Sequence, residues 1–385
     1  MNRPRDTWAH AAALAGLPGM TPVRLARLLD GFEPVSAWKA VRAGSHPADP
    51  QRKFATPARA TDVAEVGARY ARRGVRVLLP DTPGYPSMLV ADPGAPAVLF
   101  ALGDPAVVEG LPRVAIVGTR SATHYGRQVA SDLASELAAE GVVVVSGLAL
   151  GIDAAAHAGA VRAGDCDTAP PVAVVGTGLD IVYPPSNREL WEQVAARGAL
   201  FSESALGTKP HPGVFPARNR IIAALSDVVV VVESHRGGGS LYTAEAAARR
   251  SIPVCAVPGS VRSPASNGTN ALLVDGCVPV RDATDVLVAL SLAGSGRHPT
   301  RDHKEGRSDR TERSGRTDPR GALNRTATMS ARELVVWEAT DDIPTAFETI
   351  LIRTDLSIAE AVVTCDSLVE RGALLAGCGW WSRPR

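Results

Sequence analysis

Residues 215–244 read FPARNRIIAALSDVVVVVESHRGGGSLYTA. The triplet Arg218-Asn219-Arg220 opens a segment of helical pattern. Five consecutive valines, 228–232, follow without a polar interruption, and then Gly237, Gly238 and Gly239 turn the chain into Ser240 and a second helical segment. An unbroken β-branched run marks a strand buried on both faces, as parallel strands are. The glycine turn and the Arg-rich helix start each present backbone N–H groups or fixed cations to an anion. Together they predict a phosphate-bearing ligand at the carboxyl end of a buried parallel strand.

Outward from this stretch the alternation continues. Apolar runs at 114–117, 142–145, 172–175 and 254–257 read as further buried strands, with helical segments at 128–139, 153–163, 188–196 and 242–250. Strands alternating with helices predict βαβ units and an α/β fold, a doubly wound and mostly parallel sheet over 113–290. The preceding section, 75–110, is rich in Pro-Gly turns, with 98–102 expected as an edge strand. Residues 7–44 read as short helices. Within them LAGLPGMTPVRLARLL (14–29) has the pattern of a helix-hairpin-helix, compatible with a phosphate contact at its glycine turn or with simple αα packing.

Residues 293–327 are poor in apolar side chains and carry a cation at every third position from Arg301 to Arg316. That spacing defines no apolar stripe and predicts a disordered linker, either a solvated spacer or a polyanion-binding arm. Beyond it, helical patterns near 333–338, 346–351 and 358–371 precede a short β-like tail, 373–382, the outline of a small winged helix. Trp380 and Trp381 in that tail suit either its core or base stacking. The expected division is therefore 1–74 helical, 75–292 the α/β domain with its lead-in, 293–327 linker and 328–385 winged helix.

Bulk properties narrow the function. The 385 residues carry a net charge of +1, but 294–326 hold nine Arg/Lys against five Asp/Glu, a surplus of +4 that leaves −3 elsewhere. A broad basic DNA-binding face is thereby excluded, and any nucleic-acid site in the folded part has to be a local pocket. No apolar run approaches the roughly 18–20 residues of a membrane helix. The apolar run 11–17 ends at Pro18-Gly19 and fits a folded helix better than a secretory signal. Five scattered cysteines form no C-x-x-C pair, so neither a zinc site nor a disulfide framework is expected, and a reducing cytoplasm is the default.

The loops after the strands carry the candidate chemistry. Gly118-Thr119-Arg120-Ser121 follows the first strand. A dinucleotide fold would want G-x-G-x-x-G there, and Arg120 at the second glycine position disfavours NAD and FAD. The arginine is either a phosphate clamp or a surface ion pair. Ser146-Gly147 through Gly151-Ile152-Asp153 follows the second strand and forms a backbone anion cradle. Asp153 and His157, one turn apart, read as acid–base machinery or as a cap and a core polar residue. Gly176-Thr177-Gly178 follows the third strand, and Tyr183-Pro184-Pro185 then redirects the chain, with Ser186 or Asn187 as N-cap. Phe215 is placed to stack on a base or to anchor its helix. Arg218 and Arg220 cannot both point inward from one helical turn. Ser240 and Thr243 can offer hydroxyls to phosphate, but no P-loop lysine follows the glycines, so NTP hydrolysis has no motif.

The ordered motifs IVGTRSATHYG, SGLALGIDAAAH, AVVGTGLDIVYPPSN, FSESALG, FPARNRIIAALSDVVVVVES, GGGSLYTAEAA and VPGSVRSPASNGTNALLVDG resemble the DprA/Smf family, DNA-processing protein A. The resemblance is close over 85–290 and extends to the N-terminal hairpin and the winged helix. It implies a Rossmann-like domain and a cytoplasmic, dimeric single-stranded DNA-binding protein without catalytic residues, cofactor or metal. Such proteins protect incoming single strands in natural transformation and help load the RecA recombinase past single-strand-binding protein. The family's DNA pocket maps to Arg120, Ser121 and Gly147 on one side. Phe215, Arg218, Asn219 and Arg220 form the other, with Lys209 nearby and Ser240 at the last turn. Where the family has Arg-Ser-Gly-Ser-Leu, this chain has an added glycine in Arg236-Gly237-Gly238-Gly239-Ser240-Leu241. A different reading is a LOG-type nucleotide phosphoribohydrolase, whose P-G-G-x-G-T-x-x-E motif is similar to this turn. In that alignment Ala244 replaces the motif's glutamate, with Glu245 adjacent.

Overall fold

Valine runs make the centre of the larger sheet. The computed structural model describes residues 7–80, 82–164, 168–211, 213–295 and 329–340, with separate positions between 345 and 383. Its strands in the first of two units, Met1–His298, are β1 (Arg76–Leu78), β2 (Leu99–Gly103), β3 (Arg113–Val117), β4 (Val143–Ser146), β5 (Val172–Val175), β6 (Ala199–Ser202), β7 (Val228–Val231), β8 (Val254–Ala256) and β9 (Val278–Pro279). They form one sheet in the order β1-β2-β6-β5-β4-β3-β7-β8-β9. From β6 across to β9 every neighbour is parallel, whereas β2 is antiparallel to β6 and β1 to β2. Strand order reverses at β3, flanked by β4 and β7, so the crevice of a doubly wound sheet opens there.

The helices of this unit are α1 (Thr7–Ala15), α2 (Pro22–Leu29), α3 (Pro34–Ala43), α4 (Ala55–Ala60), α5 (Val63–Arg72), α6 (Ser87–Val90), α7 (His124–Ala139), α8 (Ile152–Ala163), α9 (Arg188–Arg197), α10 (Val214–Ala224), α11 (Leu241–Ala248), α12 (Asn267–Val274) and α13 (Ala283–Ser295). Alternation along each strand sends side chains to opposite faces. Ala115, Val117, Val229 and Val231 meet Ile221, Ile222, Ala244 and Ala247 of α10 and α11. Val114, Ile116, Val228 and Val230 meet Leu133, Leu137, Ala156 and Val286 of α7, α8 and α13. Each fully buried valine contributes about 1.5 kcal/mol or more.

The N-terminal helices share a core with the sheet. Leu14, Trp38 and Tyr70 cluster with Phe100, Ala173, Val175 and Leu200. Tyr70 lies 5.3 Å from the Phe100 ring, and its hydroxyl accepts the Leu206 N–H at 3.0 Å. The hairpin expected at 14–29 is present as α1 and α2. Gly19 takes a left-handed φ of 76°, and the Thr21 side chain caps α2 by accepting from Arg24 N.

One expectation changes and one strand is added. The strand expected at the edge over 98–102 is β2, which lies between β1 and β6; the edges are β1 and β9. Strand β6, Ala-Leu-Phe-Ser, was not anticipated because its four residues directly follow α9 at Gly198, without a loop to separate them.

The second unit, Pro299–Arg385, contains α14 (Ala331–Ala339), opened by a capping box between Ser330 and Glu333. Its strands are β10 (Thr345–Ala346), β11 (Leu375–Gly377) and β12 (Trp380–Ser382), with β12 central and antiparallel to both neighbours. The tail is thus joined by a third strand at the place where the helix over 346–351 was expected to begin. Trp381 packs against a core of Val336, Ile350, Cys365 and Leu368, and Arg383 stacks on Trp337 at 3.9 Å. The Arg-rich section from 296 to 327 lies outside the described residues, as do most positions of the helix expected over 346–351 and half of those over 358–371.

Candidate functional site

At the reversal of strand order lies a cleft of about 680 Å³. Its floor is the carboxyl end of β3, and three segments wall it: the loop 118–120, the start of α10, and the glycine turn entering α11. The walls are tied to one another. Thr119 Oγ1 lies 3.3 Å from His235 Nδ1, and Asn219 Nδ2 donates to the Gly239 carbonyl at 3.1 Å. Ile152 N donates to the Thr119 carbonyl at 3.2 Å, which joins the first loop to the second.

Arg120 is exposed at the mouth. Its guanidinium lies 4.6 Å from the centroid of the Phe215 ring, a cation–π contact of about 0.5–1 kcal/mol at an exposed site. Arg120 has no carboxylate partner among the described residues, so the surface ion pair is not its role. Phe215 is half-buried and belongs to none of the core clusters; its ring stands 5.6 Å from that of Tyr183, tilted by 34°. A row of Tyr183, Phe215 and Arg120 therefore lies along the cleft.

Arg218 sits beneath this row, 6% exposed. Its Nη1 donates to the Val174 carbonyl, while its Nε has no partner. Burial draws the guanidinium down to about 10, Asp153 raises it and Arg120 lowers it, so it stays charged at neutral pH. Burial raises the Asp153 carboxyl; the charge of Arg218 and hydrogen bonds from the backbone of Ala149 and Gly118 oppose that rise. Asp153 is thus a buried acid in the field of Arg218 and a clip between two loops rather than a cap, the N-cap of α8 being Gly151. His157, fully buried one turn on, is held neutral with a pKa of about 3 by that burial; a contact to the Ser146 backbone offsets only part of it, and neither ring nitrogen meets good hydrogen-bond geometry. It is a core residue.

The triplet divides as helical geometry requires. Arg218 faces the cleft, whereas Arg220 turns away to Glu203 at 2.7 Å. Of the other residues singled out by sequence, Asn219 and Ser240 line the cleft and Gly147 lines an adjoining recess with Arg120, Phe215 and Arg218. Ser240 is buried and its hydroxyl donates to Ser234 Oγ at 2.9 Å. Ser121 and Lys209 are exposed and not among the lining residues, although Pro210 and His211 are. Asn187 holds the N-cap position of α9 without a side-chain cap bond; its Nδ2 donates instead to the carbonyl of Leu148, which has a left-handed φ of 52°, at 3.0 Å. Glu245 is exposed and paired with Arg249 on α11, away from the cleft.

Sequence reasoning missed Tyr183, His235, His211 and Tyr242, all of which line the cleft. For Tyr183 and His235 a signal was present, since each follows a strand on the edge that carries the glycine loops. Gly237 takes a φ of +72°, and a side chain on Gly238 would meet Ser234 Oγ and the His235 carbonyl. Gly239 faces open space, so it is the one glycine of the three without a steric reason.

Comparison with known proteins agrees with this architecture. The family model described as DNA recombination-mediator protein A matches residues 76–291, more than half of the chain. Protein Smf of Synechocystis is 36% identical over 297 residues, covering 73% of this chain and 72% of that protein. The DNA processing protein DprA of Bacillus subtilis is 37% identical over 223 residues, covering 58% and 74%. The X-ray structure of DprA from Streptococcus pneumoniae superposes with a TM-score of 0.63 at 30% identity, covering 75% of this chain and 98% of that one. With the family model matching 76–291 and a relative 36% identical over 73% of this chain, the chain belongs to the DNA recombination-mediator protein A family, DprA/Smf.

Proposed function

We propose that this chain binds single-stranded DNA in the cleft at the β3–β7 crevice, protects it, and delivers it to the RecA recombinase. The observation that carries this reading is the exposed Arg120 guanidinium lying on Phe215 at 4.6 Å. A cation and an aromatic face side by side suit a phosphate and a base, and single strands offer both at every nucleotide. Family membership supports a DNA-processing role, and the modest net charge favours a pocket over a duplex-binding face. On this reading the protein acts in the cytoplasm as a dimer, meets single-strand-binding protein on its substrate, and uses its last unit as a winged helix. It is a binding protein rather than an enzyme, since the one carboxyl among the described residues lining the cleft, Asp153, is buried in the field of Arg218.

Fluorescence anisotropy with labelled oligothymidylate and with a duplex of equal length tests the reading. Wild type is expected to prefer the single strand, and Arg120→Ala and Phe215→Ala to weaken it roughly five- to hundred-fold. Equal affinity of wild type for both forms, or no loss in either variant, would place the site elsewhere. RecA filament growth on strands coated with single-strand-binding protein tests the delivery step; no acceleration by wild type would remove it.

A further inference from the structure

Beside the cleft, at the carboxyl ends of β7 and β8, lies a second cavity of about 450 Å³. Thr123, Tyr125, Glu233, Ser260, Ser263 and Ser266 line it. The two cavities share one divider, because Glu233 lines this one and His235, two residues on, lines the cleft.

The chemistry of the two differs. Among the residues lining the second cavity Glu233 alone is charged. Its carboxylate accepts from Thr123 N at 2.9 Å and from Thr123 Oγ1 at 2.6 Å, and the Thr123 side chain caps α7. A lone phosphate would meet a carboxylate and no cation there, so an anion is not the natural occupant. Hydroxyls and one aromatic ring remain. Tyr125 is 52% exposed at the rim, and its hydroxyl donates to the Pro258 carbonyl at 3.2 Å. Ser266, only 3% exposed, precedes α12 without capping it and has no side-chain hydrogen-bond partner among the described residues. Across from it Gly259 is bare, and a side chain there would run into Ser266 Oγ. A hydroxyl that lines the cavity without a partner among the described residues, beside a space kept open by glycine, suits a polar guest.

A planar, uncharged group with donors and acceptors on its edge fits these walls. Serine hydroxyls donate or accept as needed, so they tolerate any base edge, and the tyrosine supplies a stacking face. We propose that this cavity holds a nucleobase of the bound strand, beyond the nucleotide lying against Arg120 and Phe215. The inference rests on the single-strand reading of the cleft.

The test is anisotropy titration of the full chain with oligothymidylates of increasing length and with oligomers carrying one abasic residue at successive positions. Arg120→Ala weakens every length. Tyr125→Ala and Ser266→Ala weaken, roughly five- to hundred-fold for the former, only those strands long enough to reach the second cavity. One abasic position abolishes the difference between wild type and Tyr125→Ala, and Tyr125→Phe, which keeps the ring, binds as wild type. If Tyr125→Ala and Ser266→Ala match wild type at every length while Arg120→Ala loses affinity, the second subsite is refuted and the cleft reading stands. If Tyr125→Phe loses as much as Tyr125→Ala, stacking is refuted. If wild type binds no single strand, both inferences fall together.

Discussion

The guanidinium of Arg218 occupies the volume that a side chain at Gly147 would need. The glycine after β4 therefore makes room for the protein's own arginine. It lets a buried cation lie between β4 and α10, where it reaches the Val174 carbonyl and faces Asp153.

Gly147→Ala is expected to force Arg218 out of place. Overpacking at such a position costs about 1–3 kcal/mol, and the floor of the cleft is lost with it. Urea denaturation and oligonucleotide binding should both be impaired. A variant as stable as wild type would show that Arg218 has room elsewhere.

Arg220→Ala separates the two arginines of the triplet. Burial raises the Glu203 carboxyl and Arg220 opposes that rise. Loss of the arginine leaves a buried carboxylate unpaired, at a cost of about 3–5 kcal/mol when ionised. An acid whose folded pKa is raised further loses stability as pH climbs from its unfolded value to its folded one. Denaturation at pH 4 and pH 7 should thus show a larger defect at pH 7. Strand binding measured on the folded fraction should change little.

His157 predicts acid sensitivity. Its folded pKa of about 3 lies below the 6.5 of the unfolded chain, so the unfolded state binds the extra proton between those values. This contribution is complete above pH 6.5 and is lost as pH falls toward 3, at up to about 1.4 kcal/mol per pH unit. His157→Met should flatten that slope and cost less than about 1.5 kcal/mol at pH 7. An unchanged slope in urea melts across the window would assign the acid sensitivity to other groups.

The three glycines before α11 should respond differently to alanine. Gly237→Ala forces a side chain into a left-handed φ at a cost of about 1 kcal/mol. Gly239→Ala meets nothing and should be neutral or slightly stabilising. Thermal melts of the pair suffice; equal effects would remove the distinction.

Much of this was legible in the chain itself. Runs such as 228–232 announce buried parallel strands, and three glycine loops after three such strands announce one functional edge. Side-chain direction was less accessible. Helical period separates Arg218 from Arg220, but only the position of β5 decides which one is drawn inward. Tyr183 reads as part of a Tyr-Pro-Pro turn until the neighbouring helix brings Phe215 beside it. The role of Gly147 needs a partner 71 positions away in sequence, Arg218. The short β6 lacked a loop before it, and so its place between β2 and β5 depended on sheet pairing rather than pattern.

Strands β3 and β7 are paired from Val114 with Val228 to Val117 with Val231, right up to the loops that wall the cleft. Its two sides hang from neighbours in one ladder, so they cannot swing apart like a jaw without unpicking the middle of the sheet. On the single-strand proposal, a guest in such a slot departs lengthwise, peeling from one end, each nucleotide crossing its own small barrier. On that proposal a long strand is surrendered piecemeal to a growing filament while its remainder stays sheltered.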